Sequence, residues 1–90
     1  MGLFDLVNVT ESFKTFSKSH GYSHEEYTQI KITKYMLEYF EKQNLLTRDP
    51  EYMTTFLTIT PELRALFEIP TDCKSIPYSH IRMHLKKLYN

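Results

Sequence analysis

Two stretches of this chain, starting at residues 9 and 59, repeat one pattern of a capping threonine and apolar residues. They read Val9-Thr10-Glu11-Ser12-Phe13-Lys14-Thr15-Phe16 and Ile59-Thr60-Pro61-Glu62-Leu63-Arg64-Ala65-Leu66. In both, a β-branched residue precedes a threonine suited to cap a helix, and two apolar residues follow three positions apart. A second predicted helix follows each repeat. We therefore interpret the chain as two pseudo-symmetric strand–helix–helix units sharing one core, since neither would bury its apolar face alone.

Length and composition agree with a single small domain. Ninety residues with 41% hydrophobic content build one core but leave little room for a deep cofactor cavity. We expect one domain over residues 1–90, with a first half at 3–45 and a second half at 46–90. Eleven basic and eleven acidic residues give a net charge of zero, whereas dedicated nucleic-acid binders usually carry a basic excess.

The first half is predicted to form a strand and two helices. Residues 3–9 alternate weakly, which favours a short strand or an extended arm. Thr10 caps a helix that ends near Gly21, a residue suited to a left-handed stop. Ser23-His24-Glu25-Glu26 fits a capping box, so we expect the second helix to begin there and run to about Asn44. Apolar residues on two faces of this helix predict a mostly buried position.

The middle of the chain is predicted to form a turn, then a strand and, further on, a short extended segment. Residues 46–51 contain Arg-Asp-Pro, which is typical of a turn. Residues 52–59 are rich in Thr, Phe, Leu and Ile, which favours a strand. Ser75-Ile76-Pro77 is predicted to be a short extended entry to the last helix.

Two further helices are predicted in the second half. Thr60-Pro61-Glu62 combines a capping hydroxyl, a proline at the first helical position and an acidic first turn, and Pro70 ends that helix. The last helix carries Ile81, Leu85 and Leu88, spaced four and then three apart.

The reactive side chains do not assemble into a catalytic or metal-binding pattern. His80 and His84 would share a helix face, but no Glu follows His80 and no third ligand lies nearby in sequence. We interpret them as solvated helix histidines. Cys73 has Lys74 beside it and no adjacent His, which argues against a nucleophile. The sequence has no phosphate loop, nucleophile elbow or dinucleotide fingerprint. We expect no enzyme activity, no cofactor, no metal and no small-molecule substrate.

Several segments, taken in chain order, resemble the SWIB domain family. Ile32-Thr33-Lys34 and Glu38-Tyr39-Phe40-Glu41-Lys42-Gln43-Asn44-Leu45 are similar to the start and end of its signature helix. Residues 59–67 resemble its second capped helix. Leu66-Phe67-Glu68-Ile69-Pro70 resembles a Leu-Phe-Gly-Val-Pro segment of a related protein, the groove domain of the double-minute ubiquitin ligase. Ile76-Pro77-Tyr78 leading into residues 80–88 resembles the closing segment, and residues 9–16 resemble the opening helix, so the match covers nearly the whole chain.

The resemblance implies a mainly α-helical α+β fold with about four helices, short strand pairs and pseudo-symmetric halves. It also implies a stand-alone interaction module that binds an amphipathic helix of a transcription or chromatin-associated protein in a hydrophobic groove. The groove-binding relative carries Gly where this chain carries Leu37, a larger side chain that would partly fill the groove. The positions matching the family's groove walls are Leu37, Phe40, Phe56, Leu63, Phe67, Ile76 and Met83.

Two other functions remain open from the residues. Arg82, Lys86 and Lys87 crowd the last helix and would contact phosphates in a DNA-associated or nucleoid-associated protein. Such binding would fall steeply with salt, whereas an apolar groove would barely respond. The third possibility is a structural subunit whose apolar face is permanently covered in a larger assembly.

The sequence also predicts the cellular location of the protein. No apolar run approaches the ~20 residues of a membrane span. The opening Met1-Gly2-Leu3-Phe4-Asp5-Leu6 lacks the basic and apolar regions of a signal peptide. We therefore expect a non-secreted, intracellular protein without membrane partners, located in the nucleus or cytoplasm, a viral particle or the bacterial cytoplasm.

Overall fold

The computed structural model describes residues 5–21 and 27–89. Within these ranges the chain forms four α-helices and five short strands, which confirms the predicted mixed fold. A 3-10 turn, Lys86–Leu88, continues the last helix. The elements in order are β1 (Leu6–Val7), α1 (Glu11–Ser19), β2 (Tyr27–Thr28), α2 (Gln29–Lys42), β3 (Leu46–Asp49), β4 (Thr54–Thr58), α3 (Pro61–Phe67), β5 (Ser75–Pro77) and α4 (Tyr78–Leu85).

The element order repeats, and each unit contains two strands. The sequence predicted the second strand of the second unit as the extended segment 75–77, but not the corresponding β2 of the first unit. β1 pairs with β2 and β4 pairs with β5, both antiparallel. In each unit a helix connects the paired strands and a second helix starts directly after the second strand. The repeated unit is therefore strand–helix–strand–helix, and β3 is an addition that pairs antiparallel with β4. Corresponding helices pack together, α1 on α3 and α2 on α4.

Threonine caps begin three of the helices. The hydroxyl oxygens of Thr10, Thr28 and Thr60 accept hydrogen bonds from the backbone N–H three residues later, at 3.1, 3.3 and 3.2 Å. Each threonine is extended, so it ends the preceding segment and satisfies an otherwise unpaired first-turn N–H. The caps predicted at Thr10 and Thr60 are confirmed.

The second helix begins later than predicted. Its cap is Thr28, and Tyr27 belongs to β2 rather than to the helix. Pairing with β1 and an edge-on contact of the Tyr27 ring with Phe13, at 5.8 Å between centroids, hold this residue in extended backbone. The predicted capping box at residues 23–26 lies outside the described residues.

The segment predicted as a turn at residues 46–51 is mostly strand. β3 runs to Asp49, whose side-chain oxygen then accepts the backbone N–H groups of Glu51 and Tyr52 at 2.8 and 3.3 Å. The Arg-Asp-Pro signal thus marks where β3 ends, because an aspartate side chain readily mimics a turn. The following strand starts at Thr54 instead of residue 52, since Met53 is left-handed with φ 52°.

One core receives side chains from both halves. Along α2, only the stripe Ile32, Met36 and Phe40 is fully buried, so the helix is less enclosed than predicted. The buried apolar residues are Phe13, Phe16, Ile32, Met36, Phe40, Leu57, Ile59, Leu63, Leu66, Phe67, Ile69, Ile76, Ile81, Leu85 and Leu88. The corresponding residues of the two repeats, Phe13 with Leu63 and Phe16 with Leu66, all belong to this core.

A left-handed residue at the end of α3 offers a first prediction. Glu68 adopts φ 55° and ψ 46°, a conformation that glycine enters without the Cβ penalty. We expect Glu68→Gly to raise the free energy of unfolding by about 0.5–1 kcal/mol, measured by urea denaturation with an unchanged m value. Asn44, at φ 55°, is the matched control, because asparagine tolerates this region. Equal effects of Glu68→Gly and Asn44→Gly would contradict the prediction.

Candidate functional site

A groove runs between α2 and α4. It consists of two cavities, of about 100 Å³ and 370 Å³, that share Thr33, Arg82 and Leu85 as lining residues and are therefore adjacent. The smaller cavity is completed by Leu37, Tyr78 and Ile81. The larger cavity is completed by Gln29, Ile30, Lys86 and Tyr89.

The α2 wall of the groove follows from helical spacing. Ile30, Thr33 and Leu37 recur at i, i+3 and i+7, so they share one face. The neighbouring stripe of buried residues on α2 enters the core, and this second face is left at the surface. Ile30 is 39% exposed and Leu37 is half-buried.

The α4 wall combines an apolar floor with a polar rim. Ile81 and Leu85 are buried and form the floor. Tyr78, Arg82 and Lys86 lie four residues apart and form the rim. Tyr78 is 45% exposed, so the groove presents apolar surface to solvent on both walls.

Among the described residues that line the groove, the only charged side chains are basic. Neither cavity has an acidic residue within the described part of its lining. Arg82 and Lys86 are exposed, and neither makes a salt bridge or a side-chain hydrogen bond with the described residues. Lys87 faces elsewhere: its Nζ donates to the Phe67 carbonyl oxygen at 3.1 Å, at the end of α3. Of the three basic residues predicted to contact phosphates, Arg82 and Lys86 therefore line the groove. Lys87 instead caps the C-terminal end of α3.

Four of the seven predicted groove residues are core residues. Phe40, Leu63 and Phe67 are fully buried, and Ile76 is buried on the inner face of β5. They do not line an open surface in this structure. Leu37 does line the groove, at its narrower end.

The other two predicted groove residues lie on separate surfaces. Phe56 is on the outer face of the three-stranded sheet, directly between Thr47 and Pro77. Met83 is 57% exposed on α4 and lines neither groove cavity. The structure thus brings Leu37, Arg82 and Lys86 together and separates the remaining predicted residues.

Sequence reasoning missed Ile30, Thr33 and Tyr78 as surface residues of one groove. A usable signal existed in the second apolar face of α2, since one helix face already sufficed for the core. The four-residue spacing of Tyr78 with the two groove cations was the corresponding signal on α4.

The two histidines of α4 have different surroundings. His80 is exposed, whereas the His84 ring packs against Phe67 with centroids 5.9 Å apart. Partial burial, then the nearby Lys87 and His80, lower the pKa of His84 below its ordinary 6.5. The Nδ1 atom of His84 is buried without a hydrogen-bond partner. Within residues 5–21 and 27–89 no group of three metal-ligating side chains occurs, and Cys73 donates its thiol to the Ser75 carbonyl oxygen at 3.3 Å.

The lowered pKa of His84 predicts a loss of stability in mild acid. As the pH falls below about 6.5, the unfolded chain binds a proton at this position more readily than the folded protein. The free energy of unfolding should therefore decrease, and His84→Gln should make this decrease shallower. Urea denaturation between pH 7.5 and 5.5 measures both slopes. Ser79→Gln, at an exposed position of the same helix, is the control and should keep the wild-type slope. An unchanged slope in His84→Gln would contradict a role of this histidine.

A polar cluster joins α1, α2 and α3 on another side of the molecule. Glu62 Oε1 lies 2.9 Å from His20 Nε2 and accepts a hydrogen bond from the Tyr39 hydroxyl at 3.3 Å. Burial, with a smaller contribution from Glu62, raises the pKa of Tyr39 to about 12. A cleft of about 400 Å³ lies beside this cluster, and Glu62 and Glu11 both line it. The Glu11 carboxylate pairs with Lys14 Nζ at 3.2 Å. Since both carboxylates are engaged within the chain, this cleft is the weaker candidate for a partner.

Comparison with protein-family models, curated proteins and solved structures finds no match to this chain. The similarity to SWIB domains stays a prediction from the residues. None of the helices formed by the described residues is long and apolar enough to cross a membrane.

Proposed function

We propose that this chain is a non-enzymatic interaction module that binds an amphipathic helix of a protein partner in the α2–α4 groove. The observation that carries the proposal is the pair of adjacent cavities bordered by exposed apolar side chains from both helices. The narrower assignment, to a transcription or chromatin-associated partner inside the cell, rests on the SWIB resemblance.

The length of the groove suits a bound helix. From Ile30 to Leu37 the α2 wall rises through seven residues, which is ~10 Å at 1.5 Å per residue. Anchors at i, i+4 and i+7 of a partner helix cover the same ~10 Å. Thr33, in the middle of the wall, has the smallest side chain of the three and leaves room for a central anchor.

The apolar content of the groove suits reversible binding. Three buried anchors would gain roughly 2–3 kcal/mol each. Association consumes several kcal/mol of that gain, so micromolar affinity is expected. A single exposed apolar side chain is common on protein surfaces. Ile30 and Tyr78, however, border two adjacent cavities of one groove, which is typical of a docking surface.

The experiment is a selection of helical peptides on the folded protein. A displayed library of a stable helix scaffold, randomised on one face, is selected on wild type and on Thr33→Phe, which places a ring in the middle of the groove. Thr15→Phe is the matched control, because Thr15 is an exposed helical threonine in the α1–α3 cleft. We expect selected peptides to bind wild type and Thr15→Phe, and to lose at least tenfold in affinity for Thr33→Phe.

Other results would contradict the proposal. Peptides that respond to Thr15→Phe and ignore Thr33→Phe would place the docking surface in the α1–α3 cleft. Binding of duplex DNA that salt removes, with no groove-dependent peptide, would favour the DNA-associated function. Self-association abolished by Thr33→Phe, again with no such peptide, would favour a structural subunit.

A further inference from the structure

Two cations, Arg82 and Lys86, border the groove, although binding the apolar face of a helix does not require them. Arg82 lines both cavities and therefore sits near the middle of the groove, whereas Lys86 lines only the larger one. Four residues of helical rise separate them, ~6 Å along the axis. Around Leu37 and Tyr78, at the narrower end, no other described lining residue is charged.

These two cations have no structural task among the described residues. Three basic side chains do have one: Arg64 donates to the carbonyl oxygens of Pro70 and Cys73, Lys14 pairs with Glu11, and Lys87 donates to the Phe67 carbonyl oxygen. Arg82 and Lys86 have no such contact, and residues 5–21 and 27–89 place no acidic side chain in the lining of the groove beside them. Their positive charge is available to a bound molecule.

We infer that the helix bound in the α2–α4 groove carries a pair of carboxylates one turn apart that contact Arg82 and Lys86. This inference rests on the proposed function and adds the chemistry of the partner. Asp or Glu side chains at i and i+3 or i+4 of a helix lie on one face at the required spacing. A basic helix would place like charges beside these two cations, so the same pair selects against it.

The surrounding surface favours an acidic helix over a phosphate backbone. A nucleic acid would contact the two cations but leave the exposed surfaces of Ile30 and Tyr78 uncovered. An amphipathic helix would cover the apolar side chains with its apolar face and pair its carboxylates with the two cations at the rim.

The same displayed library tests the inference when its polar positions are also randomised. We expect peptides selected on wild type to be enriched in Asp and Glu at two positions one turn apart. For the best peptide, replacing both acids by Asn or Gln should weaken binding about tenfold, since exposed charge pairs contribute modestly. On Arg82→Gln/Lys86→Gln the ratio of the two affinities should fall to about one. Lys18→Gln/Lys74→Gln, which removes two exposed cations outside the groove, should keep the ratio.

The outcomes separate this inference from the proposed function. Peptides that depend on Thr33 but show no acidic enrichment would overturn the inference and leave the helix-binding function standing. An acidic preference that persists in Arg82→Gln/Lys86→Gln would also overturn it. Absence of any peptide sensitive to Thr33→Phe would overturn both.

Discussion

Phe67→Asp is expected to unfold the protein. The Phe67 ring is fully buried in the core at the end of α3. Loss of a buried phenylalanine removes about 3–5 kcal/mol, and a buried carboxylate without a partner adds several more. A domain of 90 residues has a free energy of unfolding of roughly 5–13 kcal/mol. Far-ultraviolet circular dichroism and urea denaturation should show loss of helix and of the cooperative transition.

The control for this substitution is Met83→Asp. Met83 is 57% exposed on α4, outside the groove, so the same new charge should change stability by less than about 1 kcal/mol. A folded Phe67→Asp protein with a transition close to wild type would contradict the closed core. That result would instead favour the open groove through Phe67 that the SWIB resemblance implies.

The local signals in the sequence were sufficient to predict most helix boundaries. A capping threonine before a helix, as at Thr10 and Thr60, acts through one hydrogen bond to a residue three positions on, and such contacts are fully local. The start of α2 at Thr28 was missed because it depends on pairing between β1 and β2. A contact between segments this far apart cannot be read from either segment alone.

The groove was harder to predict than the fold, because spacing assigns residues to a helix face but does not say which face meets the core. Leu37 and Phe40 are both apolar and one turn apart on α2, yet Phe40 is fully buried and Leu37 borders the groove. The choice depends on how α2 is rotated against α4. The groove cations were predicted for a different reason, as members of a charge cluster, and the structure places two of its three members, Arg82 and Lys86, in one site with Leu37.

Phe13→Ala is expected to lower the free energy of unfolding by about 3–5 kcal/mol. The Phe13 ring is fully buried and has edge-on contacts with Tyr27 and Tyr35, at centroid distances of 5.8 and 6.3 Å. Aromatic pairs of this kind add to the simple loss of buried area. The second repeat carries Leu63 at the corresponding position, so Phe13→Leu retains most of the buried volume and should destabilise by only about 1–2 kcal/mol.

Leu63→Ala completes the comparison, with an expected loss of about 2–5 kcal/mol. Because both residues belong to one core, each substitution should shift the single unfolding transition of the whole protein, with an unchanged m value in urea. Two separate transitions in Phe13→Ala, one of them at the wild-type midpoint, would show that the second half folds without the first. The shared core predicts the opposite, since each half leaves its apolar face uncovered without its counterpart.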